Sequence, residues 1–444
     1  MGIDRCLQAG KLYDNSPFLD AAAVNFMGQS AHQSCPATGR DSCHGERCIG
    51  GKCRRIVNGL VRNHPVSLFH SHRLLFSFSC VGELLQRIEI YVSYLKPALR
   101  QNGKFLNPVP THFTSAREMF RTLPEFLFGR RKREPAPRLP HFHTDARWFE
   151  GAGATPVRIT WFGHSSFLLE VDGFRLLVDP VWSFRASPVQ FAGPQRFFPP
   201  TIGLQDLPPL DAVLISHDHY DHLDETAVRG LADRNVRWVT SLGVGKYLRR
   251  FGVPAERIHE MNWCDRLSLT SGRNGATLEI LSLPSRHFSG RSLFNRLGTL
   301  WASFVLRNDR HNLYFGADSG HWPGFAEIGE RYGPFDLTML EIGASNPLWE
   351  SIHLGPDRAL EAHVALRGRV MFPIHWGLFD LALHEWRQPI ERLLSIAPEK
   401  GVDLWIPAPG VPTAFQGEPA QNLWWRQLAN PAQAPVPSLA TAKS

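Results

Sequence analysis

The hexapeptide His217-Asp218-His219-Tyr220-Asp221-His222 constrains this chain more than any other stretch, because it packs three imidazoles and a carboxylate at HxHxDH spacing into one tight loop. Burying so many polar groups is costly unless they share a cation, so the loop reads as one wall of a metal site. A solvated surface loop would suit a lone histidine better than this cluster. The flanks place it. Asp211-Ala-Val-Leu-Ile-Ser216 is a short apolar run with β-branched residues and predicts a buried strand, whereas Leu223 to Leu231 has helical spacing with acids in its first turn. On an extended turn His217 and His219 project the same way and can reach one ion. Asp221 and His222 follow where the chain bends, and can serve a second.

A two-ion site needs further ligands, and the sequence offers three. His287 follows the run Thr277 to Leu283 and a Pro-Ser-Arg turn, Asp318 follows Leu313 to Ala317, and His375 follows Val370 to Ile374. Each is a metal-capable side chain directly after an apolar strand, the placement that a site along one sheet edge requires. Taken singly each has an ordinary reading: a satisfied histidine of the core or surface, or an Asp making an Asx turn.

This order of HxHxDH, His, Asp and His resembles the metallo-β-lactamase superfamily. Trp161-Phe-Gly-His-Ser165, Leu177-Val-Asp-Pro-Val-Trp182, Gly193-Pro-Gln-Arg196, Tyr332-Gly-Pro-Phe335, Ile342-Gly-Ala344 and Ile374-His-Trp-Gly377 narrow it to the branch of N-acyl-phosphatidylethanolamine-hydrolysing phospholipases D and their bacterial relatives, over roughly 105–412. The resemblance implies an α/β fold, a four-layer αββα sandwich. It implies two Zn2+ per chain, one on His217, His219 and His287, the other on Asp221, His222 and His375, with Asp318 bridging. It also implies hydrolysis, since zinc lowers the pKa of water toward about 7 and polarises a phosphoryl or carbonyl group. Imidazole at His219, where related diiron redox proteins carry Glu, favours zinc.

Around the ligands, Asp179 ends a strand at Val178-Asp-Pro180 and matches an acid that supports the metal loop, although an Asx turn before proline reads equally well. His164 matches a strand end facing the site or is a buried donor. His353 is a candidate substrate contact and, with Asp221 orienting the nucleophile, a candidate catalytic residue; His384 is a weaker one. Trp182, Phe184, Phe191, Phe197 and Phe198 line an acyl groove or belong to the core.

The expected substrate is a phospholipid or small phosphoester, with N-acyl-phosphatidylethanolamine first, a lactone or other phosphoester second, and a metal-holding scaffold or sensor as the non-enzymatic rival. The chain carries a basic excess in residues 1–150, 21 Lys and Arg against 12 Asp and Glu, and its sharpest piece runs from Phe120 to Arg133. There Phe126 and Phe128 precede Arg130, Arg131, Lys132 and Arg133, an arrangement suited to peripheral contact with anionic lipid. The rest is near neutral and holds no nucleic-acid motif. No stretch has the roughly 18 uninterrupted apolar residues of a spanning helix, and the start lacks the pattern of a secretory signal. A cytoplasmic enzyme, single or paired as a homodimer, is the expectation.

The domain reading is a Cys- and His-rich extension over 1–95, disordered or arising from an early start; an N-terminal arm over 96–150; a catalytic domain over 151–412; and a C-terminal extension over 413–444 with a disordered Pro/Ala tail. Six of seven cysteines, Cys6, Cys35, Cys43, Cys48, Cys53 and Cys80, lie in the first segment. Without a secretory signal they do not argue for disulfides. A short helix is expected over 81–94.

Overall fold

The computed structural model of the chain describes residues 73–78, 86–91, 93–114, 133–136, 138–150, 157–292 and 295–427. It divides into two compact units, Met1–Val92 and Ser93–Ser444. In the first, β1 (Arg73–Phe78) pairs antiparallel with β2 (Gln86–Tyr91). The helix expected over 81–94 is therefore replaced by a strand. Arg87-Ile-Glu-Ile90 alternates polar and branched apolar residues at period two, which suits a pleated strand better than a helix face. The six N-terminal cysteines lie outside the described residues. Cys264 is a free thiol, and burial pushes it up to about 11.

The second unit opens with a small hairpin, β3 (Arg100–Gln101) and β4 (Lys104–Phe105). Two larger sheets follow. The first contains β5 (Val157–Gly163), β6 (Ser166–Val171), β7 (Phe174–Val178), β8 (Ala212–Ile215), β9 (Arg237–Ser241) and β10 (Ile258–Met261). The second contains β11 (Arg266–Thr270), β12 (Thr277–Leu283), β13 (Ser303–Arg307), β14 (Asn312–Phe315), β15 (Phe335–Glu341), β16 (Gly368–Ile374) and β17 (Asp403–Ile406). In each, antiparallel meander strands give way to parallel ones, from β7 onward in the first and from β14 onward in the second. Short β18 (Thr413–Ala414) closes the first sheet against β5, and β19 (Ala420–Gln421) closes the second against β17.

Alternation along the strands explains the layering. In β6 to β8, Phe167, Leu169, Leu176, Val178 and Leu214 enter one core while Leu168, Leu177, Val213 and Ile215 enter another. The first core also takes Ile280, Phe304, Phe315, Leu337 and Phe372 of the second sheet, so it is the seam between sheets. The second core takes Val228 and Leu231 of α1 (Glu225–Leu231) and Leu248 of α2 (Gly245–Arg250), which cover the outer face. On the far side α3 (Gly324–Tyr332), α4 (Gly355–Ala365) and α5 (Gln388–Ile396) form the fourth layer, with α4 against β15 and β16. This is the αββα sandwich.

Residues from Ser93 onward belong to the second unit: Ser93 Oγ donates to Glu327 at 2.6 Å, and the Thr144 hydroxyl donates to the Gly410 carbonyl at 2.7 Å. Beyond 412, α6 (Trp424–Gln427) buries Trp424 and Trp425 against Trp376, with Trp376 and Trp424 stacked at 5.7 Å. Short strands and indoles far from the metal motif thus belong to the same core.

Candidate metal centre

Every candidate ligand leaves the C-terminal end of a strand. His164 follows β5, Asp179 follows β7, the 217–222 loop follows β8, His287 follows β12, Asp318 follows β14, and His375 follows β16. The site therefore occupies one rim of the two sheets. The turns that aim these groups are tight: His164, Asp179 and His375 have φ of 56°, 38° and 62°, and Ala317 before Asp318 has 48°. Left-handed backbone outside glycine costs about 1–3 kcal/mol per residue and persists where surrounding structure imposes it.

The rim holds two donor groups. In one, His217 Nε2 lies 2.9 Å and His287 Nε2 3.3 Å from His219 Nδ1, with Asp318 Oδ2 at 3.6 Å from His287 Nε2. Zinc with bonds of about 2.0–2.1 Å sets tetrahedral ligand atoms roughly 3.3 Å apart, so these spacings fit a shared cation. In the other, Asp221 Oδ2 lies 3.4 Å from His375 Nε2, 3.6 Å from His222 Nε2 and 2.9 Å from His164 Nε2. Asp318 touches both groups, reaching His222 at 3.3 Å and His375 at 3.2 Å. His222 Nε2, His375 Nε2 and Asp318 Oδ1 are buried without a hydrogen-bond partner. Buried polar atoms that converge unsatisfied are costly, and a cation would satisfy all three. Imidazole and carboxylate donors with no thiolate suit zinc.

Neighbouring groups fix which nitrogen each ring presents. His222 Nδ1–H donates to Asp179 Oδ2 at 2.7 Å, leaving Nε2 for the centre. Asp179 also accepts from Ser216 N at 2.7 Å and Ser216 Oγ at 2.6 Å, so it braces the head of the 217–222 loop. His287 Nδ1–H donates to the Ile352 carbonyl at 2.8 Å. Asp218, inside the motif but turned away, accepts from Gly290 N at 2.7 Å and pins the loop from behind. Asp224 caps α1 and takes the backbone N–H groups of Trp182 and Ser183 at 2.8 and 2.9 Å.

Electrostatics agree. Burial alone would depress every ring, and it does hold His217 and His287 well below the ordinary range and His164 down to about 3. Burial also opposes a charged His222 and His375. Yet Asp318 and Asp221 lift His222 well above the usual value and His375 to about 10. The carboxylates thus demand positive charge at this spot, which protons or metal ions can supply.

Two contributors escaped the sequence. Glu341, the last residue of β15, is fully buried beside His353 and falls with Asp318 and His375 in a third donor group. The signal was an acid ending the apolar run Phe335-Asp-Leu-Thr-Met-Leu-Glu341. Asn107, from the arm, clasps the backbone of His287: its Oδ1 accepts from His287 N at 3.0 Å and its Nδ2 donates to the carbonyl at 2.7 Å.

Other expected residues lie outside the donor groups. Trp182, Phe197 and Phe198 are buried, Trp182 donating to the Ile202 carbonyl at 2.8 Å. Phe184 and Phe191 are exposed, and Phe184 lines a groove with Trp182, Phe197, Phe198, Arg138 and Leu139. His384 belongs to none of the donor groups; it lines a cleft beside His375 together with Arg133 and Asp380. Phe126, Phe128, Arg130, Arg131 and Lys132 lie outside the described residues. Arg133 is described and faces Asp380 at 3.7 Å. Among the described residues no helix is long and apolar enough to cross a membrane.

Known proteins are similar in sequence. Residues 174–376 match the family profile described as beta-lactamase superfamily domain. An uncharacterized protein of Mycobacterium tuberculosis is 42% identical over 341 residues, spanning 76% of this chain and 89% of that protein. The N-acyl-phosphatidylethanolamine-hydrolyzing phospholipase D 1 of Caenorhabditis elegans is 38% identical over 246 residues, 53% of this chain and 68% of the worm protein. A metal-dependent hydrolase of Methanosarcina barkeri is 26% identical over 56% of this chain and 99% of its own length. With its rim of paired donor groups and these relatives, the chain belongs to the metallo-β-lactamase superfamily of metal-dependent hydrolases, on the branch that includes the N-acyl-phosphatidylethanolamine-hydrolysing phospholipases D.

Proposed function

We propose that the protein is a binuclear zinc-dependent phosphodiester hydrolase of phospholipase D type. Its substrate is N-acyl-phosphatidylethanolamine or a related lipid, split into phosphatidic acid and an N-acylethanolamine. The observation that carries the reading is the meeting of two donor groups at Asp318, on one rim. His217, His219 and His287 would hold one zinc and Asp221, His222 and His375 the other, with Asp318 shared. Bound zinc supplies Lewis acidity and a water that ionises near neutral pH. Asp221, steered by His164 at 2.9 Å, orients the attacking water. His353 stands at the rim and contacts the phosphodiester. The identity to the worm enzyme supports a lipid substrate over a lactone.

The reading extends to peripheral contact with anionic lipid through Phe126, Phe128 and the cations Arg130 to Arg133. Neutralising those four cations should then weaken sedimentation with anionic vesicles, and unchanged binding would remove the patch.

The decisive experiment measures zinc content and turnover of purified protein on N-acyl-phosphatidylethanolamine, a lactone and bis(p-nitrophenyl) phosphate. About two zinc ions per chain with lipid phosphodiester cleavage is expected. Turnover of the lactone alone would replace the substrate class, and zinc without turnover of any would indicate a scaffold.

A further inference from the structure

We infer that Glu341 is a positioning residue: its carboxylate fixes the ring orientation and tautomer of His353, so that His353 Nε2 faces the substrate. The inference rests on the phosphodiesterase reading for its chemistry, and on the following contacts for its geometry.

Glu341 is wholly buried at the end of β15, where nothing solvates an ionised carboxylate except protein donors. Three are supplied. Glu341 Oε1 accepts from Ser319 N at 2.7 Å and from Leu354 N at 3.2 Å, while Oε2 accepts from His353 Nδ1–H at 2.7 Å. Two of these donors belong to the neighbours of chemically important residues, Ser319 after Asp318 and Leu354 after His353. The carboxylate therefore ties the His353 loop to the turn that presents Asp318. The backbone of His353 is held separately, its N–H donating to the Trp349 carbonyl at 2.8 Å. With backbone and Nδ1 both fixed, the ring has one orientation left.

That orientation sets His353 over the rim. Its ring lies 5.1 Å from that of His287, in one donor group, and 5.4 Å from that of His375, in the other. Unlike those rings it is partly exposed, at 14% of its side chain. A histidine whose Nδ1–H is committed to a buried carboxylate turns its Nε2 outward. A carboxylate that orients an imidazole in this way is a recurrent support of catalytic and metal-binding histidines. Glu341 also lies 3.8 Å from His375 Nδ1, so a rival role, support of His375 alone, must be separated by experiment.

Two measurements do so. In protein labelled with 15N-histidine, the long-range proton–nitrogen spectrum near pH 8 should show the His353 ring protonated at Nδ1. The His353→Gln variant assigns that signal, and Glu341→Ala should lose the Nδ1–H preference. An Nε2–H tautomer in the unaltered protein overturns the inference. Second, kcat and KM are measured for Glu341→Gln, Glu341→Asp, His353→Gln and the Glu341→Gln/His353→Gln pair on N-acyl-phosphatidylethanolamine and bis(p-nitrophenyl) phosphate, with zinc content alongside. Glu341→Gln should lower kcat by about 10–100-fold at unchanged zinc content, with partial rescue in Glu341→Asp and no further loss in the pair. Equal losses in both backgrounds would mean that Glu341 acts through another residue, which overturns the inference. Should the unaltered protein cleave no phosphodiester, the proposed function fails and the spectrum alone decides whether Glu341 sets the tautomer.

Discussion

The backbone N–H of His375 donates to the carbonyl of His164 at 3.0 Å, and the two imidazole rings lie 4.0 Å apart. The His164 N–H returns a bond to the Trp376 carbonyl at 3.1 Å. The two sheets, packed face to face through apolar side chains, are joined at this rim by main-chain hydrogen bonds. Ligand spacing across the rim is therefore set by backbone, which has few ways to relax.

Gly343 tests that rigidity. A Cβ at this position would lie 1.8 Å from the His375 carbonyl oxygen, and backbone cannot yield as a flexible side chain does. Gly343→Ala should displace His375 and lower bound zinc by about one ion per chain, with loss of activity. Metal analysis on the gel-filtered variant checks it; full occupancy would show that the rim can relax.

Asp179 holds His222 and the head of the metal loop. Asp179→Ala removes three hydrogen bonds and should weaken metal affinity by about 10–100-fold. Competition with a chelator of known affinity measures it. Asp179→Asn, which keeps an acceptor oxygen, should lose less.

His363 predicts a pH effect remote from the rim. Burial holds this ring down to about 4, and its Nδ1 lies 2.8 Å from the Thr338 hydroxyl. The unfolded chain, with a histidine near its ordinary value of about 6.5, takes up the proton first. Stability should thus be intact above about pH 6.5 and fall as pH drops toward about 4. His363→Gln should lack this component, seen by denaturant melts at several pH values.

Trp424 tests the chain end. It is buried at 4% exposure and stacks on Trp376, next to His375. Trp424→Ala should cost about 3–5 kcal/mol, read from urea unfolding. A loss below about 1 kcal/mol would place α6 outside the cooperative core.

Much of this site was legible before any coordinates. The 217–222 loop, His287, Asp318 and His375 each follow an apolar strand, and strands of a sandwich end at common rims, so their convergence follows from pattern. Asp179 was legible for the same reason. Glu341 was not, because one acid closing an apolar strand looks like an ordinary strand end until its donors are known. Nor was Asn107, which meets His287 across 180 residues. The strand Gln86–Tyr91 falls within the stretch read as a short helix, although Arg87-Ile-Glu-Ile90 alternates at period two.

The Asn107 clasp bears on how this enzyme can be dissected. The matched superfamily core, residues 174–376, leaves out that amide, His164 and the Trp424 indole. Minimal expression clones cut to that core would retain all seven candidate ligands yet lack braces that aim them. The stretch that marks the family and the stretch that holds the site in place are here two different lengths of polypeptide.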